Sequence, residues 1–187
     1  QESEAIHIHP KDLPGCLVEL RWCENEQEPD GDWWPVEREW QSHRNTEFAT
    51  AICGAEIQTP DPMVLALRWA EVLGVSTEIV DGDPTIPTTD GPVTFIEPSD
   101  GRPEGLGGIT VKVPTPEIVL ERAAKYGLQC YEQTVEISGV RFHLVGGTHP
   151  RYVSVCWPSN GAGVIFHQSL LVLNGAPGTV TSTSLGN

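Results

Sequence analysis

Histidines on strand-like segments are the residues of this chain whose type and spacing suit chemistry best. His7 and His9 alternate with the apolar residues Ile6 and Ile8, so both imidazoles fall on one face of a predicted strand. Two imidazoles can bind a divalent ion when further ligands complete the set. The same alternation is also typical of an ordinary polar strand face, and the pattern leaves both interpretations open.

A third histidine, His143, lies in another alternating stretch, Gly139 to Leu144. Glu56 and Glu97 could add carboxylates, although a register error of one residue would reverse the face on which each lies. One imidazole with one carboxylate leaves an ion mostly hydrated and weakly held. Three roles stay open for His143: a metal ligand, a hydrogen-bonding residue of a ligand pocket, or a structural residue.

The charge balance argues against several classes of partner. The 187 residues include 11 basic and 26 acidic side chains, for a net charge of -15, whereas nucleic acids and anionic membranes require clustered Lys and Arg. No apolar run approaches the roughly 20 residues that span a bilayer. We therefore expect neither a nucleic acid nor a membrane as a partner. Five cysteines without a CxxC pair favour reduced thiols and a cytoplasmic location.

The elements that must position these side chains form an internal repeat with an offset of 54 residues. Residues 54–73 match residues 108–127, and the identical pairs are Gly54 and Gly108, Pro60 and Pro114, Pro62 and Pro116, Arg68 and Arg122, and Ala70 and Ala124. Each copy has the pattern of a strand, a Pro-x-Pro break, a helix, a terminating glycine and three short strands. The sequence therefore predicts two βαβββ units. The glycine-rich residues 101–108, which have no phosphate-binding lysine, are predicted to be the linker between them.

The two predicted helices are Pro62 to Leu73 and Pro116 to Tyr126, followed by the glycine caps Gly74 and Gly127. Apolar spacing near 3.6 residues predicts one buried stripe on each helix. The stripes are Val64, Leu65, Leu67 (with Trp69) and Val72 on the first helix, and Ile118, Val119, Ala123 and Tyr126 on the second. We expect both stripes to pack on the outer face of one mixed sheet.

Tandem βαβββ units resemble the vicinal oxygen chelate superfamily, which includes glyoxalase I, methylmalonyl-CoA epimerase, extradiol dioxygenases and bleomycin-resistance proteins. The resemblance implies an α+β fold in which both units form one cup-shaped mixed sheet around a ligand. Superfamily metal sites take histidines from strand starts, where this chain has Gly54 and Gly108. The resemblance thus predicts a complete cup at residues 48–145 without a metal or other cofactor. Its predicted ligand pocket includes His143, Phe95, Phe142 and Glu97.

A second resemblance concerns Ile8 to Asp12 and Gly15 to Leu20, which are similar to the last hairpin of methylmalonyl-CoA epimerase and its relatives. In those proteins a glutamate of the closing strand is a metal ligand, and here that position is Glu19. Gly139 to Leu144 aligns with Gly15 to Leu20, so His143 takes the position of Glu19 in the complete cup. The resemblance implies that Glu19 would bind a divalent metal only with further ligands from upstream of this chain.

These patterns together predict four parts: the terminal hairpin of a truncated first glyoxalase-like domain (1–23), an acidic Trp-containing linker (24–47), a complete glyoxalase-like domain (48–145) and a partly disordered C-terminal extension (146–187). The predicted function is metal-free binding of a small organic molecule. One alternative is a metal-dependent lyase, isomerase or dioxygenase with its metal in the first domain, and another is a structural or dimerising domain. Because a lone hairpin is marginally stable, residues 5–22 are expected to pair with another subunit, giving a homodimer, or with the edge of the cup.

Overall fold

The structure is a computed structural model, and it describes residues 3–23, 40–88, 91–146, 162–167 and 170–175. In chain order the elements are β1 (Ser3–Ile8), β2 (Leu17–Cys23), α1 (Trp40–His43), β3 (Ala51–Gln58), α2 (Pro62–Leu73), β4 (Glu78–Val80), β5 (Asp83–Ile86), β6 (Val93–Ile96), β7 (Gly105–Val113), α3 (Pro116–Lys125), β8 (Gln129–Tyr131), β9 (Thr134–Ile137), β10 (Val140–Gly146), β11 (Ala162–His167) and β12 (Leu170–Gly175). No helix within these ranges is long and apolar enough to cross a lipid bilayer.

Most of the chain between β3 and β10 forms an eight-stranded mixed sheet with the order β4-β5-β6-β3-β7-β10-β9-β8. The first strand of each βαβββ unit runs parallel to the last strand of the same unit, because β3 pairs with β6 and β7 pairs with β10. The two first strands, β3 and β7, pair antiparallel in the centre. The predicted α+β fold with tandem βαβββ units is therefore confirmed.

Local sequence signals account for the helix ends and the tight turns. The carboxylate of Asp61 accepts a hydrogen bond from the Val64 amide at the start of α2, and Gly74 ends that helix with a φ of 68°. Gly127, after α3, has a φ of 74°, as a left-handed cap requires. The hairpin turns at 81–82 and 138–139 also have positive φ at both residues, which the twist of two-residue hairpins favours.

The buried face of each helix differs in part from the predicted stripe. On α2 the buried residues are Leu65, Ala66, Trp69 and Ala70, whereas Val64 and Leu67 are more than half exposed, at 62% and 55%. On α3, Ala123 is buried but Ile118 and Tyr126 are exposed. The predictions for these four exposed residues were wrong because both helices carry apolar side chains on more than one face, and periodicity alone did not select the packed one.

The N-terminal hairpin finds its partner strand within the same chain. Strands β1 and β2 pair antiparallel, and β2 runs parallel to β12, which in turn pairs antiparallel with β11. The resulting order β1-β2-β12-β11 repeats the order and directions of β9-β10-β7-β3 in the larger sheet. The hairpin thus joins a sheet separate from the cup and does not pair with the edge of the cup, whereas its pairing with another subunit stays a prediction.

The hairpin also packs against the first βαβββ unit. Leu13 and Val18 are fully buried in one apolar cluster with Ile57, Leu65 and Trp69. The Trp69 indole Nε1 donates to the Pro14 carbonyl at 2.8 Å, so the turn of the hairpin is fixed on α2. Residues 24–39, 147–161 and 176–187 lie outside the described residues. The bounds of the four predicted parts stay predictions.

Candidate functional site

Alternation along the central strands separates an apolar face from a polar face of the eight-stranded sheet. Ile57 and Phe95 belong to the cluster that packs on α2, and Val111 and Leu144 belong to the cluster that packs on α3. The neighbouring residues therefore lie on the opposite side. We call that side the polar face, and it is defined by Glu56, Gln58, Arg141 and His143.

Arg141 is the centre of the polar face, and its side chain is only 8% exposed. It donates to Glu56 Oε1 from Nη2 at 2.5 Å and from Nε at 3.0 Å. It also donates to Gln58 Oε1 at 3.0 Å and to the carboxylate of Asp100. Because a buried charge is costly unless it is paired and hydrogen-bonded, this arrangement satisfies the guanidinium with two carboxylates and an amide oxygen.

His143 lies beside this ion pair and keeps one ring nitrogen without a hydrogen bond. Its Nδ1 lies 3.2 Å from the hydroxyl of Thr134, within hydrogen-bond distance. Its Nε2 lies 3.3 Å from Glu56 Oε2, close enough for an ion pair when the ring is protonated. Nevertheless, the angles do not meet those of a hydrogen bond, so Nε2 is a buried nitrogen without a hydrogen-bond partner. The His143 side chain as a whole is 33% exposed.

Two glycines of β7 make room for the side chains of the polar face. A Cβ on Gly108 would lie 2.7 Å from His143 Nε2, and one on Gly107 would lie 2.5 Å from Arg141 Nη2. Both distances are shorter than van der Waals contact allows. Gly108, which has no side chain to bind a metal, therefore leaves the space that the His143 imidazole occupies on the polar face.

Electrostatics keep both carboxylates of the polar face ionised. Burial alone would raise the pKa of Glu56, but the nearby imidazole of His143 and the hydrogen bonds and charge of Arg141 outweigh it and hold that pKa below its ordinary value. The Arg102 guanidinium, which donates to Asp100, holds the pKa of Asp100 well below its usual range. The face thus carries two fixed anions and two fixed cations, Arg141 and Arg102, at neutral pH.

The loop before β7 takes part in this network and is more than a linker. The Gln58 side-chain amide donates to Asp100 Oδ1 at 3.2 Å and to the carbonyls of Arg102 and Pro103. Arg102 donates to Asp100 Oδ2 at 2.5 Å. In addition, the predicted linker 101–108 is shorter in the structure, because β7 already begins at Gly105.

The structure does not bring the four predicted pocket residues together. Only His143 lies on the polar face. Phe95 is fully buried on the helix side, with its ring 5.4 Å from the Trp69 ring in an edge-to-face arrangement. Phe142 also points to the helix side, next to α3. Glu97 is exposed just beyond the end of β6. The positions of Phe95 and Phe142 correct the prediction of apolar walls around His143.

Sequence reasoning missed Arg141, Gln58, Asp100 and Thr134 as members of the site, and it named Glu56 only as a carboxylate that could face either way. For two of these residues, Arg141 and Gln58, the sequence does contain a signal. Arg141 lies two residues before His143, and Gln58 lies two residues after Glu56, so each must share a face with its neighbour in a regular strand. No comparable local signal marks Asp100, which lies in a loop.

Glu19, the predicted metal ligand of the first domain, has protein partners in the described structure. Its carboxylate is almost completely buried, lies 2.7 Å from His7 Nε2 and accepts a hydrogen bond from Arg21 Nε at 2.6 Å. His7 pairs with Glu19 across the strands as Thr134 pairs with His143, which agrees with the alignment of Glu19 and His143. The imidazole of His9 instead accepts from the Lys11 amide.

Within the residues that the structure describes, no cluster of three or more His, Cys, Asp or Glu side chains could hold a metal ion. Glu56 and His143 form a pair of ligand-capable groups, as do Glu19 and His7. Among the described residues, Cys16, Cys53 and Cys130 form no disulfide bond. A catalytic divalent site uses at least three protein ligands, so neither pair is sufficient by itself.

Part of the chain is similar to several solved structures, each at low sequence identity and with a TM-score below 0.5. Methylmalonyl-CoA epimerase from Mycobacterium tuberculosis matches at 17% identity and a TM-score of 0.42, with 57% of this chain and 93% of that chain covered. A variant of 4-hydroxymandelate synthase from Streptomyces coelicolor matches at 13% identity and a TM-score of 0.45, with 55% of this chain and 38% of that chain covered. A fusion protein of a xylose isomerase-like TIM barrel and 4-hydroxyphenylpyruvate dioxygenase matches at 12% identity and a TM-score of 0.45. The match covers 60% of this chain and 24% of that chain. No family model and no curated protein matches the chain.

Proposed function

We propose that the polar face binds a small oxygenated organic molecule without a divalent metal ion. The observation that carries this proposal is the position of Arg141, whose guanidinium already pairs with Glu56 and Asp100. A divalent ion at these carboxylates would have to displace a fixed cation and would then be repelled by it. Arg141 thus supplies the positive charge that a metal ion would otherwise supply between the two anions.

His143 is the group that remains available to a ligand. Its Nε2 is buried and has no hydrogen-bond partner, and its side chain is one-third exposed, so a ligand that contacts the exposed part of the ring has to turn the ring to reach Nε2. The donors of Arg141 are engaged. When the Thr134 hydroxyl donates to Nδ1, Nε2 carries the proton and can donate to a carbonyl, hydroxyl or carboxylate oxygen of the ligand.

The test begins with elemental analysis of the purified chain after mild dialysis. We expect less than a tenth of an equivalent of Fe, Mn, Co, Ni or Zn. A thermal-shift screen of small carboxylic acids, ketones and phenols follows, with and without chelator. Ligands should raise the melting temperature equally in both conditions, and His143→Ala should abolish the rise. His9→Ala, which removes an exposed imidazole away from the polar face, is the matched control. One equivalent of metal that is lost in His143→Ala would overturn the proposal.

The metal-dependent enzyme is the second candidate, and the pair of Glu19 and His7 favours it. A buried carboxylate 2.7 Å from an imidazole offers two of the three or four ligands that such a site needs. Added Zn²⁺ that binds to the wild-type chain but not to His7→Ala would support this candidate. The cytoplasmic location, the homodimer and the absence of nucleic-acid and membrane partners are further parts of the proposal that rest on the sequence.

A further inference from the structure

An apolar cavity of about 300 Å³ lies on the helix side of the sheet, on the opposite side from His143. Its walls come from α3 and from the helix-facing side of β7, β9 and β10, and they include Val111, Val135 and Leu144. Phe48 and Arg122 also line the cavity. This volume lies at the lower end of the range for small-molecule sites.

The internal repeat shows that the fold does not require this cavity. Ala123 on α3 is 54 residues after Trp69 on α2, and Leu144 lies opposite Val111 as Phe95 lies opposite Ile57. In the first unit the rings of Trp69 and Phe95 pack edge to face and are fully buried. The second unit has an alanine and a leucine at these positions, so the space that two aromatic rings fill in one unit is open in the other.

The cavity also has one charged residue in its lining, Arg122. Its guanidinium carbon lies 4.2 Å above the ring of Phe48, and none of the described carboxylates forms an ion pair with it. Arg68, the residue 54 positions earlier, instead pairs with Glu71 and donates to the Asp12 carbonyl, both at 2.8 Å. In the first unit this arginine therefore binds other groups of the protein. In the second unit the equivalent guanidinium, that of Arg122, is available to a ligand.

We propose that this cavity binds a small organic monoanion with an apolar body, such as a medium-chain carboxylate. The apolar body lies between α3 and the sheet, where Val111, Val135 and Leu144 exclude water. The carboxylate accepts hydrogen bonds from Arg122, the residue type best suited to bidentate carboxylate recognition. The proposal does not involve His143, Glu56 or Arg141, and it is independent of the function proposed for the polar face.

The test uses octanoate and 1-octanol with the full chain, by isothermal titration calorimetry. Octanoate should bind with one site per chain, and Arg122→Ala should weaken it by about tenfold or more, as loss of a charge-assisted hydrogen bond predicts. Binding of 1-octanol should change less than twofold in that variant. Lys125→Ala, which removes a neighbouring cation of α3, is the charge-matched control and should leave octanoate binding unchanged.

A second measurement locates the bound ligand. Octanoate should shift the methyl NMR signals of Val111, Val135 and Leu144 and leave those of Ile57 and Leu65 in the first unit unchanged. Ala123→Leu, which fills part of the cavity, should abolish both the binding and the shifts. No binding at millimolar octanoate, an undiminished affinity in Arg122→Ala, or shifts confined to the first unit would each overturn the proposal.

Discussion

Arg141 donates two hydrogen bonds to one carboxylate oxygen of Glu56, a residue 85 positions earlier in the chain. The contact joins the last strand of the second βαβββ unit to the first strand of the first unit across β7. It also leaves the second oxygen of Glu56 facing His143. The ion pair therefore stabilises the junction of the two units and positions the imidazole that we assign to ligand binding.

Replacement of Arg141 should destabilise the fold strongly. Arg141→Met keeps much of the side-chain volume but leaves Glu56 and Asp100 as partly buried carboxylates without their common cation. Loss of one partner of a buried ion pair costs roughly 3–5 kcal/mol, and because both carboxylates keep some exposure we expect about 3 kcal/mol in the free energy of unfolding. Urea denaturation at pH 7 measures this quantity. Lys125→Met is the control, since its ion pair with Glu121 is exposed, and it should cause no measurable change. Equal stability of the two variants would contradict this account.

The stability of the chain should fall as the pH falls below about 5. The pKa values of Glu56 and Asp100 are lower in the folded state than in the unfolded chain, where carboxyl groups titrate near pH 4. A lowered folded-state pKa contributes stability that is fully present above the unfolded value and is lost as the pH falls through the folded value. Unfolding free energies measured between pH 7 and pH 3 should therefore decrease steadily, and Glu56→Gln should make the decrease shallower. A pH profile that is identical in this variant would contradict the role of Glu56.

Local sequence signals predicted where many helices and strands begin and end. They did not predict which face of a strand or helix is buried. Pro62, Gly74 and the turn at 138–139 mark element ends through backbone preferences that act within a few residues. Phe95 was assigned to the wrong face because an aromatic residue in an alternating strand is equally compatible with either side of a sheet. Only its packing on Trp69, 26 residues earlier in sequence, decides the face.

Contacts between distant segments explain the remaining errors. Strand β2 pairs with β12, about 150 residues later in the sequence, and no local pattern indicates which strand completes a hairpin. Asp100 likewise joins the polar face through its contacts with Gln58 and Arg141. The glycine and proline residues of its loop predict the absence of regular secondary structure. They do not indicate which residues the loop contacts.

The glycine at position 108 should be necessary for the position of His143. A Cβ in Gly108→Ala would meet His143 Nε2 at 2.7 Å and the Arg141 carbonyl oxygen at 3.1 Å, so the imidazole has to move away. We expect a loss of roughly 1–3 kcal/mol from overpacking together with loss of ligand binding at the polar face. Gly105→Ala is a matched control on the same strand, because its nearest neighbour would lie 3.6 Å away. Thermal denaturation and the ligand screen check both effects, and normal binding in Gly108→Ala would show that the imidazole does not need this space.

The two halves of the sheet should respond differently to the loss of a phenylalanine. Phe95 is fully buried and packs edge to face on Trp69 in a filled core, and Phe95→Ala should cost about 3–5 kcal/mol because it creates a new cavity. Phe142 is half-buried and already borders the cavity beneath α3, so its removal breaks fewer contacts. We expect Phe142→Ala to cost about 2 kcal/mol or less in the absence of a ligand. Urea denaturation of both variants at neutral pH gives the comparison. Equal costs would show that the second core is packed as tightly as the first, which would contradict the open cavity from which the octanoate site was inferred.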